Sequence, residues 1–300
     1  MTHRNLTEAT WRETRAAAGD AIAVLPIGSQ EQHAGHLPMG TDTMLADAVV
    51  GRALDLLAEE AGPDTPVPDL VRLPTLPYGH SPHHLFAAAL TLSAPVLGTV
   101  LDELLDSLAE CGYGRVLVVN GHGGNDEIVR LAVKRFALRA EVTAAACSYW
   151  TLLDTVETEE ATVETEEATV ETEEATVEDA AGAASNGSDA AVAPCGAGDR
   201  AGLVPGHAGW FETSLMLAAH PELVRAERPA QPPVEPPPLF DKPPYPGLTV
   251  ERHGEWERVG GATDDAAGAD ARDGARLLDR CARGLARALL AFDAATRPTA

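Results

Sequence analysis

The chain has 300 residues and a formal net charge of −24, from 46 acidic against 22 basic residues, which argues against nucleic acid or an anionic membrane surface as a partner. Its length allows one large domain with a substantial core. Four scattered cysteines, Cys111, Cys147, Cys195 and Cys281, form no C-x-x-C pair, which disfavours a disulfide framework or thiolate zinc site and fits a reduced, cytoplasmic setting; the first residues lack an apolar signal run, and no stretch approaches a membrane span.

Residues 21–27 form an apolar run with β-branched side chains that ends at Gly28, the pattern of a buried strand entering a loop. The loop is dense in polar residues and leads into 43–57, where Leu45, Val49, Ala53, Leu56 and Leu57 recur at helical spacing. The layout then repeats. A helical face of Leu97, Val100, Leu101, Leu104 and Leu108 opens near Ser93 and stops at Gly112. A short strand over 115–119 follows, then Asn120-Gly121-His122-Gly123-Gly124-Asn125 and a helix through Ile128, Leu131, Ala132 and Phe136. Residues 141–149 read as another strand. Leu277, Leu278, Cys281, Leu285 and Leu289 mark the stripe of a last helix that should pack on the sheet. Strand and helix alternating with short connections predict an α/β fold, with a mostly parallel sheet covered by helices on both faces.

Between these parts Thr155-Val156-Glu157-Thr158-Glu159-Glu160-Ala161 occurs three times, to Ala175, with a broken fourth copy. Residues 154–179 hold twelve acidic and no basic residues, half of the net charge. Valines at 156, 163, 170 and 177 make too thin a seam for a coiled coil. The expectation is an acidic, disordered insertion over 155–199 in a single domain spanning 1–300, with a helical recognition segment for a basic partner as the alternative. A proline-rich stretch over 228–247 is expected as an extended surface segment.

Seven of the ten histidines fall in four short polar motifs: His33 and His36; His80, His83 and His84; His122; His207. In an extended loop Glu31 and His33, two residues apart, point the same way, and Asp42 can return to the same cavity at the start of the next helix. A mixed oxygen and nitrogen shell suits Zn²⁺, Mn²⁺ or Fe²⁺ better than Ca²⁺. The competing reading is an exposed Glu31–His33 pair with Asp42 as a helix cap. His122 lies between Gly121 and Gly123-Gly124, where small residues let the backbone approach an ion closely. A phosphate loop is the rival there, but the Walker lysine and the Rossmann glycine spacing are missing.

Three blocks together, Gly28-Ser29-Gln30-Glu31-Gln32-His33 continuing through His36-Leu37-Pro38 to Gly40-Thr41-Asp42, then Asn120-Gly121-His122-Gly123-Gly124-Asn125, then Gly206-His207-Ala208-Gly209-Trp210-Phe211-Glu212-Thr213-Ser214, resemble the signature of the creatininase family. The resemblance implies a three-layer α/β/α fold, a homo-oligomer, commonly a hexamer, and a two-metal centre that hydrolyses amide-type C–N bonds. It places Glu31, His33, Asp42 and His122 on metal-ligand positions, with Asp42 bridging. Creatininase proper has a further glutamate ligand two residues after the histidine of the second block; this chain has Gly124 there. Glu212 is therefore expected to supply the missing oxygen, as ligand or base, against the alternative that it merely starts a helix over 213–219. The resemblance makes His207 the proton donor to the leaving nitrogen and Ser81 and His84 substrate contacts, with His80 and His83 as surface or supporting groups. The family tryptophan that closes over the substrate ring is replaced by Gly202-Leu203-Val204, with Trp150 as a substitute aromatic wall. Expected substrates are a small amide, lactam or formamide, or a peptide as for the mycofactocin precursor peptide peptidase. A non-catalytic metal-binding assembly protein is the reading from another class.

Overall fold

A computed structural model describes residues 3–62, 67–153, 206–228 and 234–297; the expected insertion at 155–199 lies outside the described residues. Five parallel strands make one sheet in the order β1 (His3–Asn5), β3 (Leu70–Arg72), β2 (Ile22–Ile27), β4 (Arg115–Asn120), β5 (Thr143–Ser148). The central strands β2 and β4 are buried along their whole length, as a sheet covered on both faces requires.

Alternation along those strands sorts side chains into two cores. Ile22, Val24, Leu117 and Val119 pack with α2 (Thr41–Glu60), α5 (Trp210–Ala219) and α7 (Ala271–Thr296). Ala23, Leu25, Ile27, Val116 and Val118 pack with α1 (Trp11–Ala18), α3 (Ala94–Glu110) and α4 (Asp126–Arg139). The three-layer α/β/α expectation holds. Pro26 sits in a central strand, but its main-chain edge faces the side where β3 has already ended, and its carbonyl accepts from Leu76 N–H at 2.9 Å. No ladder bond is lost to the missing proline N–H.

Two helical faces match the sequence expectation in part. In α3 the buried set is Leu97, Leu101, Leu105 and Leu108, and Leu104 is 38% exposed. In α4 it is Val129, Ala132, Val133 and Phe136, while Leu131 is 55% exposed. Both buried sets keep the three- and four-residue steps of a helix; Leu97, Leu101, Leu108, Ala132 and Phe136 are buried as expected, and the faces differ at Leu104 and Leu131. The stripe on α7 is as expected, with Leu277, Cys281, Leu285 and Leu289 buried. No helix among the described residues is long and apolar enough to cross a membrane, and the three described cysteines are free.

The β2–β4 register pairs Ile22 with Arg115 and Ile27 with Asn120, so both strands end level. Their following loops leave the same carboxyl edge side by side, the place where open α/β sheets gather functional groups.

Candidate metal centre

The loop after β2 is held by a neighbour. Gln32 N–H donates to Ala88 O at 2.8 Å, Leu90 N–H to Gln30 O at 2.8 Å, and Glu31 N–H to Met39 O at 3.0 Å. These ties turn Glu31 and His33 inward, and both are fully buried. Asp42 enters from the first turn of α2. Its approach depends on Gly121: a Cβ there would lie 2.7 Å from Asp42 O and 2.8 Å from Ala46 Cβ.

His122 is clamped by the asparagine that ends β4. Asn120 accepts from His122 N–H at 3.1 Å and donates to His122 O at 2.7 Å. Asn125 ties two other loops, donating to Gly28 O at 3.0 Å and accepting from His80 N–H at 2.9 Å. The two asparagines of the second motif are thus structural, and the histidine between them is the chemical group.

The side chains converge around Asp42. Its Oδ1 lies 3.0 Å from His33 Nε2 and its Oδ2 3.1 Å from His122 Nδ1. Glu31 Oε2 is 3.3 Å from His122 Nε2, and Glu212 Oε2 is 3.8 Å from His33 Nε2. His33 Nδ1–H donates to Glu31 O at 3.1 Å, which leaves Nε2 to face the carboxylates, the arrangement that orients a ligating imidazole. Ligand atoms of Glu31, Asp42 and His122 lie within 4.8 Å of one another, and so do those of His33, Asp42 and Glu212. The two sets share one residue, Asp42.

The electrostatics set what the cluster can hold. Burial alone would lower the His33 pKa, but Asp42, Glu212 and Glu31 reverse this and raise it to about 10. His122 is likewise raised well above its ordinary value, with Glu31 and Asp42 outweighing burial. Burial pushes the Glu212 carboxyl up to about 8, helped by Asp42 and Glu31 and opposed by His33. Both Glu31 oxygens, Asp42 Oδ2 and His84 Nε2 are buried without a hydrogen-bond partner. Buried carboxylate oxygens left so are costly, and a bound cation relieves that cost. Three carboxylates and two imidazoles in this arrangement fit divalent metal binding.

Position 124 accounts for the departure from the family pattern. A Cβ on Gly124 would stand 2.3 Å from His80 O and 2.6 Å from His122 Nε2, so no side chain fits. Glu212, in the first turn of α5, comes in on the opposite side beside His33, with Oε2 also accepting from Ala208 N–H at 2.6 Å. The helix starts earlier than expected, at Trp210. Gly124→Ala is expected to displace His122 and weaken metal affinity at least about tenfold, as disturbed ligand orientation does. A metal titration checks this, and unchanged affinity would contradict the packing.

The remaining expected residues divide. Ser81 is buried with Oγ against Ser29 Oγ and 3.5 Å from His122 Nε2. His84 Nε2 lies 3.3 Å from Glu31 Oε1, and His207 Nδ1 lies 3.6 Å from the same oxygen. Trp150 is partly buried against the α2–α5–α7 core with its ring edge-on to Tyr149 at 5.2 Å. The indole that meets the histidines is Trp256, in the short helix α6 (Glu255–Arg258), at 4.8 Å from both His83 and His84 and 5.9 Å from His207. Phe240 stacks on Trp256 at 4.1 Å, so the described part of the proline-rich stretch, 234–247, braces the site. His83 also belongs here: its ring stacks on His122 at 5.8 Å, and burial with nearby His84 and His122 lowers its pKa to about 3.

The family model described as creatinine amidohydrolase (Creatininase) matches residues 7–289. Creatinine amidohydrolase of Pseudomonas putida is 27% identical over 296 residues, covering 94% of this chain and 94% of that one. Mycofactocin precursor peptide peptidase of Mycobacterium ulcerans (strain Agy99) is 42% identical over 120 residues, 39% of this chain and 46% of that protein. A crystal structure of creatinine amidohydrolase (creatininase) superposes with a TM-score of 0.66 at 25% identity, covering 98% of each chain.

Proposed function

This chain belongs to the creatininase family, and from that premise we propose that it is a hydrolase that cleaves the C–N bond of a small amide, lactam or formamide in a two-metal site. The observation that carries this reading is the pair of ligand sets, Glu31–Asp42–His122 and His33–Asp42–Glu212, joined through one carboxylate. A carboxylate has one oxygen for each of two ions, and the oxygen and nitrogen donors suit zinc, manganese or iron. Ions so held acidify water and polarise a carbonyl oxygen.

The protein's own groups handle the proton. His207 Nε2–H donates to Gln32 O at 2.7 Å, leaving Nδ1 on the side of Glu31. Burial, with His33 and His84 nearby, holds the His207 pKa well below its ordinary value. At rest the ring is neutral, so it can take a proton from the attacking water at Nδ1 and return it to the departing nitrogen. Ser81 and His84 are the substrate contacts of this reading, and Trp256 takes the aromatic-wall role in place of Trp150. A peptide substrate is the second reading, favoured by the 42% identity to the peptidase over 120 residues.

Chelation is expected to remove hydrolysis, and Zn²⁺ or Mn²⁺ to restore it, measured on a panel of creatinine, lactams, formamides and short peptides. Purified protein that binds no divalent metal, or metal-loaded protein that turns over nothing in the panel, overturns the proposal. The second of these outcomes, with metal bound, would favour the assembly-protein alternative.

A further inference from the structure

We infer that Gln32 is a positioning residue that fixes which nitrogen of His84 and of His207 carries the proton, making His84 a hydrogen-bond donor and His207 an acceptor toward the cluster. The catalytic meaning of this pair rests on the hydrolase reading; the assignment of protons does not.

The orientation of the Gln32 amide is set by two partners of fixed polarity. Its Oε1 accepts from Ala34 N–H at 2.9 Å, and its Nε2 donates to Gly261 O at 2.8 Å. A backbone N–H only donates and a carbonyl only accepts. Turning the amide over would set oxygen against oxygen and N–H against N–H, so the usual ambiguity of a glutamine side chain is removed here. Gln32 is itself buried, so water does not substitute for either partner.

The second amide N–H then has one destination. His84 Nδ1 lies 2.8 Å from Gln32 Nε2, and facing a donor it must accept. The proton of His84 is therefore on Nε2, the nitrogen 3.3 Å from Glu31 Oε1. His207 is set by the main chain of the same residue. Its Nε2 lies 2.7 Å from Gln32 O, which only accepts, so that nitrogen carries the proton and Nδ1 is a bare lone pair 3.6 Å from Glu31 Oε1. The approach of 3.1 Å between Gln32 Nε2 and His207 Nε2 is then between two donors committed elsewhere and adds no bond.

Two consequences follow. The His84 and His207 rings stack with centroids 4.3 Å apart, so an N–H and a lone pair stand side by side next to Glu31. That pair matches an amide, with its carbonyl oxygen on His84 Nε2–H and its nitrogen on His207 Nδ1. Conversely, ligand atoms of Glu31, His83 and His84 also lie within 4.8 Å of one another, but a protonated His84 Nε2 offers no lone pair to an ion. Gln32 thereby keeps that set from acting as a metal site.

The test is long-range proton–nitrogen NMR of histidine-labelled, zinc-loaded full-length protein, with the two rings assigned by His84→Ala and His207→Ala. Wild type is expected to show Nε2–H on both rings. Gln32→Glu keeps the length but replaces the donor with an acceptor, so His84 should gain a proton on Nδ1 while His207, held by the main chain, stays as it was. A merely structural lesion would move both rings or neither. If Gln32→Glu does not fold, Gln32→Met removes the donor without adding charge, and His84 should then lose its single tautomer. Nδ1–H on His84 in wild type, or an unchanged His84 in the folded variant, overturns the inference. Bound zinc measured on the same samples keeps the two proposals apart: no metal refutes the metallohydrolase reading, whereas a static tautomer refutes only the role of Gln32.

Discussion

Asp42→Ala is expected to leave the protein without either ion and to lower hydrolysis by at least about 10³-fold, the upper end of what loss of one preorganised electrostatic group costs. The reasoning is geometric. Asp42 alone belongs to both ligand sets that contain His122 and Glu212, and its two oxygens face His33 and His122 at 3.0 and 3.1 Å. On the two-metal reading its removal takes a donor from each ion, and it leaves two buried imidazoles without their nearest counter-charge. His122→Ala and Glu212→Ala each strip one set only, so each should retain one ion where Asp42→Ala retains none. Metal counts by mass spectrometry on the three variants decide the matter. A full metal complement in Asp42→Ala would rule out the shared carboxylate.

The second large effect lies at the other end of the sheet and tests the scaffold. Arg115 opens β4, is buried, and meets Asp293 near the end of α7 at 2.6 Å, with side chains 7% and 6% exposed. The guanidinium also donates to Asp20 O, and Asp293 also pairs with Arg297. Asp293→Ala leaves a buried cation with one carbonyl, a loss that typically costs about 3–5 kcal/mol. For a domain of this size the melting temperature should fall by roughly 10 °C. Joint replacement of Arg115 by Met and Asp293 by Leu should recover most of the loss, because the desolvation of both charges disappears with them. Calorimetry separates the cases, and a single-variant loss below about 1 kcal/mol would show the pair to be solvated. Metal binding at the carboxyl edge should be unaffected in all of them.

What was readable in the sequence followed the strength of the local signal. Strands β2, β4 and β5 and helices α2 and α7 have long apolar patterns and stand where expected. Strands β1 and β3 are three residues each, too short for a period to register, and exist because a neighbour pairs with them. Helix α1 has a local signal in its start alone: Thr10 and Glu13 form a reciprocal capping box. In the candidate site, Glu31, His33, Asp42 and His122 lie in dense motifs and do come together. Trp256 gave no such warning, since it sits in a four-residue helix far along the chain and reaches the histidines only through tertiary packing. Of the two readings open for His83, surface or supporting group, the tight turn over Pro82–His84 favours the second by bringing it in beside His84. Gln32 carries no titrating group, so chemistry alone did not single it out; its meaning lies in which of its partners donate.

The division of ligands along the chain also sets an order in time. Glu31, Asp42 and His122 have all been made well before the ribosome reaches Glu212 on α5, and α7, which packs beside α5 and α2, comes last. At roughly 5–20 residues per second, the gap between His122 and Glu212 is on the order of several seconds. During that interval a nascent chain offers one complete ligand set and an unfinished one, with His33 waiting beside Asp42. On the two-metal reading, an ion held by Glu31, Asp42 and His122 has its ligands first, whereas an ion held by His33, Asp42 and Glu212 would await the packing of α5 and α7, so metal present late in folding would govern how much of the protein carries both.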